Sequence, residues 1–238
     1  MEEFSYTNIF ETKGIEYITI IVFFAILVPF WFLINRKPKS KVLLSKANRF
    51  ITARSLRIPQ GIFFSRFHTW AHLEKNGQAR VGLDDLLVHI TGDVNLTQIK
   101  KPGEYIEKGK LLALIRYNGN TLKIQSPVSG KIEETNSTLE DNPDLIKDDP
   151  YQLGWIYSVK PSNWKADTDS YYLAENATSW AISELERFKD FLAVSSEKTE
   201  QQPLGVVMQD GGELIEKPLE HMPQEVWKDF QKNFLSKG

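Results

Sequence analysis

Cysteine is absent from the 238 residues of this chain. This absence excludes disulfide bonds, thiolate catalysis, iron–sulfur ligation and cysteine-based zinc sites. An excess of one charge is also missing, since 29 basic residues stand against 31 acidic ones. Nucleic-acid-binding proteins carry a basic patch or stripe, so we expect no nucleic-acid partner. The chain also lacks a G-x-S-x-G nucleophile motif and a phosphate-binding glycine loop. We therefore expect a protein that is not an enzyme.

A long run without charge lies near the N-terminus, at residues 17–35, after a short acidic segment at residues 1–16. About 20 apolar residues span the hydrocarbon core of a bilayer. A cleaved signal peptide would begin with basic residues and end at a small-residue cleavage site, and both are missing here. A buried helix of a soluble domain is the other alternative. The pattern favours a transmembrane helix that contains Tyr17, Phe24, Pro29, Trp31 and Ile34.

The flank that follows this run is basic and predicts the orientation. Residues 36–55 contain no acidic side chain, and the first basic residues of this flank are Arg36, Lys37, Lys39 and Lys41. Positive residues remain on the cytoplasmic side of a membrane. We expect a single-pass protein of the bacterial inner membrane, with its N-terminus outside and its main domain in the cytoplasm. Residues 36–60 then form a connector, partly helical, whose basic residues are also suited to anionic lipid headgroups.

A hairpin is predicted in the middle of the chain. Two runs that alternate between apolar and polar residues, 111–117 and 121–125, flank Asn118, Gly119 and Asn120. An Asn-Gly pair between alternating runs is the strongest short-range signal for a hairpin with a type I′ turn. Both central residues of that turn need a positive φ, which Asn and Gly adopt at little cost.

Four blocks of sequence, in a fixed order, carry a family resemblance. They are HTW at residues 68–70, GKLL at residues 109–112, SPVSG at residues 126–130 and LEDNPDLIKDDPYQLGW at residues 139–155. In this order they resemble the glycine cleavage system H protein. The resemblance covers residues 66–162 and implies a mainly β fold, the lipoyl-like barrel-sandwich hybrid, over residues 61–164.

The same resemblance predicts the loss of a cofactor site. The blocks on either side of the hairpin align without a gap, which places Gly119 where the family carries its lipoylated lysine. The acidic residue of the family motif falls on Arg116, and the nearest lysine, Lys123, lies in the return strand. Because that strand is part of a ladder, we expect poor access to Lys123. The resemblance therefore implies the fold without the lipoyl group, and we expect no cofactor.

Residues 165–238 form a C-terminal helical extension beyond the resemblance. Apolar side chains at helical spacing predict an amphipathic helix over residues 177–192. A short strand is predicted at residues 204–208. A final helix over residues 223–235 has a stripe of Val226, Trp227, Phe230 and Phe234, and we expect it to pack on the barrel or on a partner.

Two further groups of residues contain side chains that can bind metals. His68 and His72 lie four apart, but in a strand that spacing separates the side chains by about 13 Å, too far for one ion. The acidic residues between 140 and 149 lack the spacing of a calcium loop. We expect no metal at either place.

These observations predict an accessory protein. We expect a non-catalytic, membrane-anchored adaptor, assembly factor or subunit, whose partners are the lipid bilayer and proteins of a bacterial redox or respiratory complex. The alternative is a true lipoyl group carrier of a glycine cleavage or sulfur-transfer system, and a third interpretation is a decoy or regulator that binds a lipoate ligase.

Overall fold

The computed structural model describes residues 9–35, 50–93, 95–198, 208–209 and 213–236. The chain divides into two compact units, Met1–Ala47 and Asn48–Gly238. Each unit is described by itself.

The first unit contains one helix, α1 (Ile9–Asn35), which includes Pro29. The side chains of residues 17–31 are exposed, among them Tyr17, Phe24 and Trp31. Ile34 lies in α1, but its side chain is outside the described residues, as is the basic flank of Arg36, Lys37, Lys39 and Lys41. Within the described part of the chain, no helix combines the length and the apolar character needed to cross a membrane. The predicted anchor is therefore not confirmed.

The second unit is built from antiparallel strands. Its strands are β1 (Phe50–Ile51), β2 (Phe63–Phe64), β3 (Thr69–Leu73), β4 (Ala79–Leu83), β5 (Asn95–Gln98), β6 (Tyr105–Ile106), β7 (Leu111–Tyr117), β8 (Asn120–Gln125), β9 (Gly130–Thr135), β10 (Tyr157–Pro161), β11 (Met208–Gln209) and β12 (Glu213–Ile215). One sheet has the order β2-β3-β4-β10-β9-β6, a second has β5-β7-β8 and a third has β1-β12-β11. The prediction of a mainly β domain is confirmed.

The core of this unit lies between the six-stranded sheet and the β5-β7-β8 sheet. Val81, Leu112, Leu122 and Ile132 are fully buried in one hydrophobic cluster. Full burial of such a side chain stabilises the fold by about 1.5–3 kcal/mol. A second, smaller cluster surrounds Trp70, whose indole lies directly against Gly82.

Short helices connect the strands. Helix α2 (Asp85–Thr91) begins where Asp84 caps it by accepting a hydrogen bond from the Leu87 N–H at 2.8 Å, and it ends at Gly92. Helices α3 (Thr138–Asp141) and α4 (Leu145–Asp148) follow β9, and α5 (Trp164–Thr168) follows β10.

The C-terminal extension packs on the barrel within the same unit. Helix α6 (Glu175–Lys198) covers the predicted helix and is longer at both ends. A 3-10 helix (Pro218–His221) leads to α7 (Gln224–Phe230), which continues as a π-helical turn (Gln231–Leu235). The predicted apolar stripe of the last helix is buried, at 4% exposure or less for all four residues. Within the described residues it packs against α6, where Phe188 contacts Phe230 and Phe234.

Within the connector, Phe50 and Ile51 form a strand, because they pair with Ile215 and Leu214 of β12, more than 150 residues away in sequence. Residues 36–49 of the connector lie outside the described residues. The expectation that His68 and His72 share one strand is wrong, because residues 62–73 form two strands, β2 and β3, separated by a turn at residues 65–68. Of the strand predicted at residues 204–208, only residue 208 lies within the described residues, and it belongs to β11.

Candidate functional site

The tip of the β7–β8 hairpin is a two-residue turn. Tyr117 pairs with Asn120, and between them Asn118 has φ +45° and Gly119 has φ +83°. Two successive positive φ values in a two-residue loop are the signature of a type I′ turn. The predicted turn is confirmed. Both turn residues are exposed, and a Cβ on Gly119 would meet no atom within 4 Å.

The hairpin is held by the alternation of its side chains. Ile115 on β7 and Leu122 and Ile124 on β8 face the core and are at most 1% exposed. A register shift between Leu111 and Ala113 allows two consecutive residues of β7 to point inward. The core therefore fixes the inner faces of the two strands that the turn joins.

Lys123 lies inside β8, where it pairs with Leu114 of β7. The ladder position was predicted, but the expectation of poor access was wrong, because the side chain is exposed. The reason is the two-residue period of a strand, which directs Leu122 and Ile124 inward and therefore Lys123 outward. The amine at this position belongs to a paired strand and not to the turn.

The C-terminal segment closes the outer edge of β8. Gln231 accepts a hydrogen bond from the Lys123 N–H through Oε1, at 2.6 Å, and donates through Nε2 to the Lys123 carbonyl, at 3.2 Å. Next to it, the Trp227 ring stacks on Tyr117 with centroids 6.0 Å apart. Trp227 is itself fixed by donating from Nε1 to the Leu219 carbonyl, at 2.9 Å. An edge strand with free backbone groups invites pairing with another chain, and here a side-chain amide satisfies one residue of that edge.

A buried ionic chain joins the barrel to the extension. His68 is 0% exposed, and its Nδ1 lies 2.8 Å from Asp84 Oδ2. Its Nε2 lies 3.5 Å from Glu184 Oε2 on α6, an ion pair that is too long for a good hydrogen bond. Glu184 in turn accepts from the Arg187 Nε at 3.0 Å, and the Arg187 guanidinium lies 3.9 Å from the centre of the Phe234 ring. These ionic contacts therefore connect α2, α6 and the last helical turn to the β2–β3 turn.

In this group of buried ionic contacts, each charge stabilises the ionised form of its neighbour. Burial opposes the charged imidazole, but the charge of Asp84 and its hydrogen bond, together with Glu184, raise the pKa of His68 from 6.5 to about 9. Burial also acts to raise the pKa of Glu184, but contacts with His68 and Arg187 outweigh it and hold that pKa below its ordinary value. The arrangement at neutral pH is a buried imidazolium between two carboxylates. We read it as structural.

The structure separates the two histidines considered as metal ligands. His68 sits in the β2–β3 turn with φ +60°, while His72 lies in β3 and its Nδ1 is 3.1 Å from the Gly61 carbonyl oxygen. Among the described residues, no group of three His, Asp or Glu side chains is arranged to hold a metal ion. Sequence reasoning missed the partners Glu184 and Arg187. Glu184 carries no local signal because it meets His68 from more than 110 residues away, and Arg187 is linked to His68 only through Glu184.

Comparison with known proteins decides the family. The family model described as glycine cleavage H-protein matches residues 62–183, which is half of the chain. The chain belongs to the glycine cleavage H-protein family. The H-protein match contains the hairpin, the barrel and the first part of α6, and it ends before the last helices.

Relatives in this family share about a third of their residues with the chain. The glycine cleavage system H protein of Thermus thermophilus is 35% identical over 118 residues, which are 50% of this chain and 91% of that protein. The probable glycine cleavage system H protein of Thermococcus gammatolerans is 33% identical over 107 residues, which are 45% of this chain and 79% of that protein. A crystal structure of a glycine cleavage system H protein from Mycobacterium marinum matches with a TM-score of 0.46 and 26% identity, over 52% of this chain and 98% of that chain.

The H-protein hairpin of this chain does not fit a lipoyl group at its tip. Such a group is joined by an amide bond to a lysine amine, and Asn118, Gly119 and Asn120 have none. That Gly119 occupies the position of the family's lipoylated lysine stays a prediction.

Proposed function

We infer that this protein is a non-lipoylated member of the H-protein family that acts as an accessory or assembly subunit and not as a group carrier. One observation carries the proposal: the exposed type I′ turn at Asn118 and Gly119 presents no amine. A fold without its site does not carry the activity. The role left for the domain is contact with other proteins.

The surroundings of the hairpin support the same proposal. The C-terminal segment binds the edge of β8 through Gln231 and stacks Trp227 on Tyr117, one residue before the turn. These contacts hold the hairpin as a fixed part of the domain. A hairpin with a structural role needs this rigidity, whereas attachment of a mobile arm needs only an accessible tip.

The proposal includes a membrane anchor at residues 17–35, and its support is the sequence. The run has no charge, its described side chains from Tyr17 to Trp31 are exposed and, except for Thr19, apolar or aromatic, and a basic flank follows it. On the positive-inside rule, the H-protein domain then lies in the cytoplasm of a bacterium, with the N-terminus outside. Anchoring would place the domain beside a membrane complex, and a redox or respiratory complex is our candidate.

The alternative is a lipoyl carrier of a glycine cleavage or sulfur-transfer system, as the names of the relatives suggest. Its specific support is Lys123, the exposed amine nearest the tip along the hairpin. Against it stands the place of Lys123 within the β7–β8 ladder.

Affinity purification of the full-length chain from detergent-solubilised membranes tests the proposal. We expect a complex of fixed composition that survives size-exclusion chromatography, with this chain unmodified in it. A matched control, residues 1–60 with the same tag, separates capture by the anchor from capture by the domain. Recovery of the full-length chain as a monomer without a partner, or with a lipoyl group on any lysine, would count against the proposal.

A further inference from the structure

A groove of about 850 Å³ lies at the opposite end of the hairpin from its tip. Four short segments line it, one of them Gln125 and Ser126 at the end of β8, and each of the other three contributes two of the side chains that matter here. They are Arg66 and Phe67 from the β2–β3 turn, Lys108 and Lys110 from the loop before β7, and Tyr171 and Tyr172 from the loop before α6. None of these residues belongs to the hairpin tip or to the buried ionic chain.

The groove is positively charged. Arg66, Lys108 and Lys110 line it, and no carboxylate side chain is among the described residues that do. Three carboxylates lie next to the groove without lining it. Asp167 is buried and accepts the Ser129 N–H at 2.6 Å, and the exposed Glu107 and Asp169 each precede a lining residue in sequence. Arg66 and Lys110 are exposed and have no ion pair within the described part of the chain. Two cations are thus available to an anionic ligand.

The walls are also aromatic. The Arg66 guanidinium lies 4.8 Å from the centre of the Phe67 ring, and Lys108 Nζ lies 4.6 Å from that of Tyr171. Tyr172 stacks on Trp180 with centroids 4.9 Å apart. Ring faces beside cations suit a ligand that brings carboxylates together with an apolar or aromatic side chain.

The groove is preformed. Phe64 and Tyr172 exchange two backbone hydrogen bonds of 2.9 Å, and the Tyr171 hydroxyl donates to the Pro127 carbonyl. Lys108 Nζ donates to the Asp167 carbonyl at 2.5 Å. A ligand therefore meets ordered walls and pays little to organise them.

We propose that this groove binds an acidic, aromatic-containing peptide segment of a protein partner. Small-molecule sites bury most of the ligand and aim a few buried polar groups at it, whereas here the two available cations are exposed at the rim. Nucleic acid is disfavoured by the net charge of −2. Guanidinium groups bind carboxylates in a two-point geometry, which gives Arg66 the leading role. The groove exists whether or not the protein carries lipoate, so this proposal goes beyond the proposed function and can fail separately from it.

Fluorescence anisotropy with the purified full-length chain in mild detergent tests this. The probe is a fluorescein-labelled peptide of sequence Glu-Glu-Phe-Glu-Glu-Phe, and the control probe has Lys in place of Glu. We expect binding of the acidic probe alone, weakened by salt. The Arg66→Glu and Lys110→Glu variants should each weaken it by about tenfold, and Lys160→Glu, an exposed lysine outside the groove, by less than about twofold.

Several results would overturn the proposal. No binding of the acidic probe at low salt would do so, as would an equal loss in the Lys160→Glu variant, which would indicate attraction to net charge. Tight binding of ATP or inorganic phosphate without peptide binding would make the groove a small-anion site. Binding to anionic phospholipid vesicles that Arg66→Glu abolishes, without peptide binding, would make it a membrane-facing surface.

Discussion

Removal of the buried imidazole by His68→Asn should abolish most of the fall in stability between pH 6.5 and pH 9.5. Asparagine tolerates the positive φ of this position, +60°, and its amide replaces the hydrogen bond to Asp84 without a titrating group. The perturbation therefore removes the charge of His68 and leaves the turn.

The magnitude follows from the raised pKa of His68, about 9 when folded against 6.5 as the ordinary value. A difference of this size corresponds to roughly 3 kcal/mol of folding free energy, at about 1.36 kcal/mol per pKa unit. Because the folded-state pKa is the higher one, this stabilisation is fully present below pH 6.5 and is lost as the pH rises through 9. On the acid side, Glu184 has a lowered pKa, so its contribution is lost as the pH falls below its ordinary range.

The assay is urea denaturation of residues 48–238 at pH 6.5 and pH 9.5, with the free energy of unfolding extrapolated to water. Wild type should lose roughly 3 kcal/mol more than His68→Asn between these two conditions. The control is His72→Asn, which removes a half-buried imidazole of β3 and should keep the wild-type difference. Parallel pH profiles for wild type and His68→Asn would refute the reasoning, because they would show that His68 does not bind a proton preferentially in the folded state.

Three further predictions concern other contacts. Gln231→Ala removes both hydrogen bonds to the Lys123 backbone, so it should lower the free energy of unfolding by about 1 kcal/mol and accelerate hydrogen exchange at the Lys123 amide. Unchanged exchange would contradict the role of Gln231 at the edge of β8. Gly82→Ala places a Cβ 2.7 Å from the Trp70 indole and should destabilise the folded domain by about 1–3 kcal/mol, measured by thermal unfolding followed by fluorescence. An unchanged midpoint would show that the indole can move aside. The full-length chain should stay in the membrane pellet after alkaline carbonate, with its domain protected from protease in intact spheroplasts; recovery in the soluble fraction would remove the anchor at residues 17–35 from the proposal.

The parts of this structure that sequence alone predicts are those with local causes. The Asn118–Gly119 turn follows from two adjacent residues that accept positive φ, and the start of α2 follows from Asp84 three residues before the amide it caps. The apolar stripe of the last helix needs only the helical period. The family blocks extend this local knowledge to the whole barrel.

The remaining features depend on residues that are distant in sequence. The ion pair of His68 with Glu184 and the clamp of Gln231 on β8 each join residues more than 100 positions apart. The strand at Phe50 and Ile51, inside the predicted connector, depends on its pairing with Ile215 and Leu214, because a partner strand overrides local preference. No pattern within a window of ten or twenty residues contains this information.

The central claim is that the protein carries no lipoyl group, and intact-mass measurement after expression with a lipoate ligase and lipoate tests it most directly. A lipoylatable H protein in the same cells serves as the positive control. Gly119→Lys places an amine at the turn and should lower the free energy of unfolding by roughly 1 kcal/mol because of the positive φ. This variant shows whether the ligase recognises the tip when Arg116 is present. We predict that the wild-type chain keeps its unmodified mass while the control H protein gains the adduct. A lipoyl adduct on the wild-type chain, above all one that Lys123→Arg removes, would contradict the account and return this protein to the group carriers.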